Sequence, residues 1–211
     1  MNELSYSDIL ESNSQVAEVG PPIKISLLSN FIIHPLKDVL TYSCRSIGLA
    51  PEIVIGEYDN IVQESSAQSG MDVVIIFYDL MNIIEGFHYK APLLEEAELE
   101  RLKHKVTSEI DFMLMSLRDA PLVIMNTFSA SILTHQQLEQ PEKLNHICTQ
   151  LNDYLKTHEA SNLTLIELDK VFLSCSVSKA VDFRYFYSSK MLYSFEFNKA
   201  YTQLISPLLR Q

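Results

Sequence analysis

The sequence predicts an α/β fold: a three-layer α/β/α sandwich, flavodoxin-like, with a five-stranded parallel sheet. Three observations predict it. Five short apolar runs recur along the chain, amphipathic segments separate them, and every connection is too long for a hairpin. The composition fits, since 211 residues with 47% hydrophobic and 20% charged side chains suit one domain with a full core.

Residues 1–20 are polar and end at Gly20-Pro21-Pro22, a rigid break. They read as a flexible amino-terminal arm, with at most a short helix around Tyr6 to Glu11, ahead of a single domain over 21–211. The first strand, Ile23 to Leu28, stops at Ser29-Asn30. Pro35 then sits near a helix start, where its missing N–H costs little. Leu36, Val39, Leu40 and Ile47 give that helix an apolar stripe, and Gly48 stops it. A second strand, Glu52 to Ile55, ends at Gly56, and a short helix is expected over Glu57 to Gln68. The third strand, Val73 to Phe77, is apolar throughout, as a strand covered on both faces should be.

The longest helix is expected from Leu93 to Leu117, with Leu99, Leu102, Val106, Ile110, Met113 and Leu117 at spacings of three and four. Glu95, Glu96, Glu98 and Glu100 load its first turns, which suits the helix dipole and reads as a solvated face. Pro121 opens a fourth strand, Leu122 to Met125, that ends at Asn126-Thr127. A helix from Pro141 to His158, a strand from Leu163 to Leu168, an irregular segment to Asp182 and a helix from Phe195 to Leu209 complete the chain. Parallel strands joined in this way take right-handed crossovers.

Charge and motif content exclude several function classes. A net charge of -11 argues against a nucleic-acid footprint, which needs clustered Lys and Arg. No apolar run approaches the roughly 20 residues of a membrane span, and the polar start MNELSYSDIL lacks a signal pattern, so a cytoplasmic address is expected. Cys44, Cys148 and Cys175 share no metal-like spacing and read as reduced, buried thiols. No histidine pair shows ligand spacing, and neither a metal nor a cofactor is expected.

In an open parallel sheet the ligand lies outside the carboxyl ends of the strands. Those positions are Ser29-Asn30, Gly56-Glu57, Asp79 to Asn82, Asn126-Thr127 and the loop around Asp182. Arg184 and Lys190, with Tyr185, Tyr187 and Tyr193, add a cationic and aromatic cluster. It suits a phosphate, carboxylate or sugar through the planar Arg fork, or else Arg184 simply pairs with Asp182. Glu57 and Asp59 are candidate acid–base carboxylates, with helix capping as the plainer role.

This order resembles the SGNH (GDSL-like) hydrolases. The resemblance implies a nucleophilic Ser after the first strand, a Gly N–H after the second, an Asn donor after the third and an Asp-x-x-His before the last helix. A Ser hydroxyl needs an adjacent base, and the developing oxyanion needs preplaced donors. A closer resemblance is to the amino-terminal domain of FkbH-type proteins. It is carried by KISLLSNFIIHPLKDVL at 24–40, PEIVIGEYDNIVQE at 51–64, MDVVIIFYDLMNI at 71–83 and VDFRYFYSSKMLYS at 181–194. In that family a phosphatase-like (HAD) domain commonly follows and takes part in loading glyceryl groups onto a carrier protein.

The departures from the hydrolase pattern are chemical. An ungapped match puts Asn30, which has no hydroxyl, at the nucleophile position, with Ser29 one place early. Gly56 matches the oxyanion Gly, while Asn82 stands one place late. Asp182-Phe183-Arg184-Tyr185 has Tyr where the base belongs, and no His follows His158. His34 is near the site in sequence; it is either a substitute base or a helix-start residue facing solvent. Two readings result. One is a catalytically degenerate SGNH-like module, binding a ligand or partner in bacterial surface-polysaccharide or carrier-linked biosynthesis. Its partner is a small molecule (acyl ester, sugar or phosphate group), a carrier or an HAD-type protein. The alternative is an active esterase or acyltransferase using Ser29 with His34 or a carboxylate such as Asp182.

Overall fold

The computed structural model describes residues 4–15, 20–83, 87–132, 141–158 and 162–210. The apolar runs become five strands, β1 (Pro22–Ser29), β2 (Ala50–Ile55), β3 (Val73–Phe77), β4 (Leu122–Asn126) and β5 (Leu163–Ile166). All pair in parallel, in the order β2-β1-β3-β4-β5. The direction of winding therefore reverses between β1 and β3, the switch point at which such sheets open a crevice. The register there runs from Ile25 opposite Val73 to Ser29 opposite Phe77. The central β3 is buried at every position, consistent with helices on both faces.

The helices are α1 (Tyr6–Gln15), α2 (His34–Ser46), α3 (Ile61–Ser65), α4 (Phe87–Lys90), α5 (Glu96–Ser116), α6 (Pro141–Thr157), α7 (Leu168–Cys175), α8 (Val177–Ala180), α9 (Phe183–Ser189) and α10 (Phe195–Ile205). One layer joins α1, α2, α7 and α10, and the other joins α3, α5 and α6. The stripe expected on α5 is buried at Leu99, Leu102, Val106, Ile110 and Met113. Its start is fixed by Glu95, whose backbone N–H donates to the Glu98 carboxylate at 2.8 Å. Among the described residues no helix is long and apolar enough to cross a membrane, and no cluster of metal-ligating side chains occurs. Cys44 and Cys148 are buried, and burial pushes the Cys44 thiol up to about 12.

Three details differ from the sequence expectations. The short helix expected over Glu57 to Gln68 is confined to α3, and Glu57 lies in the turn before it. The segment read as irregular before Asp182 forms α7 and α8. The expected amino-terminal arm carries a ten-residue helix docked on α2. Ile9 of α1 is fully buried, the Tyr6 hydroxyl donates to Asp38 at 2.5 Å, and the Arg45 Nη1 donates to the Asn13 carbonyl at 2.6 Å. The chain enters β1 through Gly20 at φ +132°, where a Cβ would lie 2.1 Å from the Gly48 carbonyl oxygen, so only glycine passes.

Candidate functional site

The carboxyl ends of β1, β3 and β4 are held together by two buried asparagines. Asn30, just past β1, donates from Nδ2 to the Asp79 carbonyl at 2.7 Å, and its Oδ1 accepts the Asp79 N–H at 3.0 Å. Asn126, at the end of β4, grips the other flank. Its Oδ1 accepts the Tyr78 N–H at 2.8 Å, and its Nδ2 donates to the Tyr78 carbonyl at 2.9 Å. Each amide thus mimics a strand partner and continues the ladder one step past β3, where the backbone groups would otherwise be buried without partners. Asn30 and Asn126 are 1% and 0% exposed. Both were candidate ligand-binding residues, and the structure gives their side chains to the backbone.

Asp79 is also occupied. Its Oδ1 accepts the Met81 N–H at 2.7 Å, and its Oδ2 accepts the Tyr193 hydroxyl at 2.5 Å. Burial holds the Asp79 carboxyl above the usual range, although both hydrogen bonds pull it down. Burial and the neighbouring Asp79 push the Tyr193 phenol up in turn. Tyr193 reaches this position from the segment before α10, which is tied to the β1 exit by the Ile32 N–H donating to the Lys190 carbonyl at 3.1 Å. It stacks on Phe197 at 3.9 Å between centroids and touches Phe31 and Phe77. The sequence groups Tyr193 with Arg184 and Lys190 in a cationic and aromatic cluster; its spacing carries no sign of the Asp79 contact.

The groups an acyl-transfer site needs are engaged elsewhere. Ser29 is buried, and its Oγ accepts the Phe31 N–H at 3.1 Å. The Gly56 N–H, matching the oxyanion Gly, donates to the Leu27 carbonyl at 2.9 Å. A Cβ at Gly56 would meet Leu28 Cδ2 at 2.8 Å, so here glycine serves close packing of β2 on β1. The Asn82 amide donates to the Asn30 carbonyl and to the Tyr58 hydroxyl. His34 is exposed at the first residue of α2, with no hydrogen bond to Ser29. His135 and the His88 side chain lie outside the described residues.

Asp182 caps α9 through the Arg184 N–H and forms a two-pronged pair with the Arg184 guanidinium, at 3.0 and 2.6 Å. That pair, led by the Arg184 hydrogen bonds, lowers the Asp182 carboxyl. Arg184 braces its own loop, which is the plainer of the two roles expected for it. Tyr187 is exposed on the same helix, and the Lys190 Nζ lies 5.4 Å from the Phe186 ring centroid. Glu57 is exposed, and its carbonyl accepts the Asn60 N–H.

A cleft of about 210 Å³ opens beside Asn30 at the β1/β3 switch point, bounded by α3 and α5. Asp59, Tyr78, Asn82, Lys105 and Glu109 face it. The Tyr78 hydroxyl donates to Glu109, and the Lys105 Nζ stands 3.8 Å from the Glu109 carboxylate. Asp59 sits in the left-handed region at φ 56°. Partial desolvation raises its carboxyl, Lys105 opposes that, and Glu109 adds to it. None of Asp182, Arg184, Tyr187 or Lys190 lines this cleft. Lys105 and Glu109 were missed because their i, i+4 spacing reads as an ordinary helix-surface pair.

No family model and no curated protein matches the sequence. Solved structures do match. The amino-terminal part of a Bacteroides fragilis protein containing a phosphatase domain aligns over 95% of this chain and 55% of its own, with a TM-score of 0.73 and 14% identity. This chain thus spans about half of that structure. A lipase from a goat rumen metagenome aligns over 89% of this chain and 96% of its own, with a TM-score of 0.61 and 11% identity. A G-D-S-L family lipolytic protein from Veillonella parvula gives 0.55 and 9% identity, over 90% and 99% of the two chains. The protein therefore has the three-layer fold of the SGNH (GDSL-like) hydrolases, a likeness that at these identities extends to the fold alone.

Proposed function

We propose that this chain is a catalytically degenerate SGNH-hydrolase-like domain that binds a ligand or partner rather than cleaving an ester. One observation carries the proposal: the hydroxyl and donor groups at the positions of an acyl-transfer site are all engaged inside the fold. Ser29 Oγ accepts the Phe31 N–H, Gly56 donates to Leu27, and Asn82 donates to Asn30 and Tyr58. A serine without a base is a weak nucleophile, and an oxyanion gains nothing from donors committed to other acceptors. The setting, bacterial surface-polysaccharide or carrier-linked biosynthesis in the cytoplasm beside a carrier or HAD-type protein, rests on the resemblance to FkbH-type proteins. That one structural neighbour contains a phosphatase domain is in keeping with it.

Ester turnover by the parent and by Ser29→Ala tests the proposal. Equal rates with p-nitrophenyl acetate, both at the level of buffer, are expected. Turnover that disappears with Ser29 would overturn the proposal in favour of a working esterase.

A further inference from the structure

We infer that the cleft beside Asn30 is the ligand site of this domain, and that it takes a single hydroxyl-rich ring, a monosaccharide unit, rather than a phosphate or an acyl chain. The inference rests on the binding-module reading and names the ligand class at that face.

Position supports it first. The cleft lies at the β1/β3 reversal, where open α/β sheets present their ligand crevice. Its volume of about 210 Å³ is below the roughly 300–1,000 Å³ of pockets for drug-sized ligands, so one ring fits rather than a nucleotide or a lipid.

The chemistry of the walls then selects the class. Two carboxylates, Asp59 and Glu109, face the cleft with one ammonium, Lys105, so an anion meets net repulsion there. Ligand hydroxyls, by contrast, find acceptors in the carboxylates and a donor in Lys105. Among the described residues the Asp59 carboxylate accepts no hydrogen bond, whereas Glu109 is fixed by Tyr78 and Lys105. Asp59 is thus the adaptable contact and Glu109 the preset one. Tyr58 stands next to the cleft residue Asp59: the residue is 43% exposed, and its hydroxyl accepts from the Asn82 amide, itself in the cleft lining, at 2.7 Å. An amphipathic aromatic face of this kind suits the C–H side of a sugar ring.

Saturation-transfer difference NMR on the full chain tests the inference, with methyl α-D-glucopyranoside and N-acetylglucosamine as probes and inorganic phosphate as competitor. Transfer to the ring protons of at least one sugar is expected, undiminished by phosphate and unchanged in Ser29→Ala. Asp59→Asn and Glu109→Gln should each weaken binding about tenfold, as expected for the loss of a charge-assisted hydrogen bond. Asn tolerates the left-handed backbone, so Asp59→Asn keeps the fold whatever Glu109→Gln does. No transfer from either sugar, or competition by phosphate, overturns the inference. Binding untouched by both cleft variants also overturns it while leaving the binding-module reading standing. Ester turnover that depends on Ser29 removes that reading instead.

Discussion

In an Asn30→Ser variant the nucleophile position of the hydrolase pattern regains a hydroxyl, yet the variant should lose stability and gain no esterase activity. The Asn30 amide makes two bonds to the Asp79 backbone, at 2.7 and 3.0 Å, in a site 1% exposed. A serine side chain is too short to reach both groups. Each buried backbone group left without a partner costs about 1–3 kcal/mol, so the two together cost about 2–6 kcal/mol. For a chain of this size about 2–4 °C of melting temperature is lost per kcal/mol, so the lower figure alone implies a fall of about 4–8 °C. Urea unfolding is the assay, read as a drop in midpoint at unchanged slope. A variant within about 0.5 kcal/mol of the parent, the range of an ordinary surface change, would refute the reasoning. Esterase activity in the variant would refute the claim that a base is missing.

Other expectations follow from the same contacts. Asn126→Ala should cost at least about 2 kcal/mol in urea unfolding, because the Tyr78 N–H and carbonyl both lose their partner. The double variant Asn30→Ser, Asn126→Ala should fall short of the sum, since both side chains grip adjacent residues of one segment; strict additivity would count against a shared clasp. Asp79 bears on pH. Burial raises its folded-state value above the ordinary carboxylate range of about 3.9. A raised value means a contribution that is full at acid pH and lost as pH rises through the folded-state value. Relative to Asp79→Asn, the parent should therefore lose stability as pH rises above the ordinary carboxylate value of about 3.9, and a difference independent of pH would contradict this.

The fold was legible because it depends on period and run length. The unbroken apolar run Val73 to Phe77 has to be covered on both sides, and α5 shows its buried stripe at regular spacing. The docking of α1 escaped notice because Ile9 is its one buried side chain, too little for a periodic signal. The site was legible only as a set of strand ends. Ser29, Asn30, Gly56, Asp79, Asn82 and Asn126 stand at or just past strand ends, as the sequence predicts, but what their polar atoms touch depends on distant partners. Asn30 and Asp79 are 49 residues apart, and Asp79 and Tyr193 are 114 apart. Lys105 and Glu109 reach the cleft from a helix whose charges read as a solvated face, which hid them.

The most direct measurement is labelling of the intact protein with a fluorophosphonate, followed by mass mapping of the modified peptide. Such a probe phosphonylates serines that a base has activated. With Ser29 Oγ buried and accepting the Phe31 N–H, the peptide containing Ser29 should remain unmodified. Stoichiometric labelling at Ser29, abolished by Ser29→Ala, would contradict the account and restore the chain to the working hydrolases.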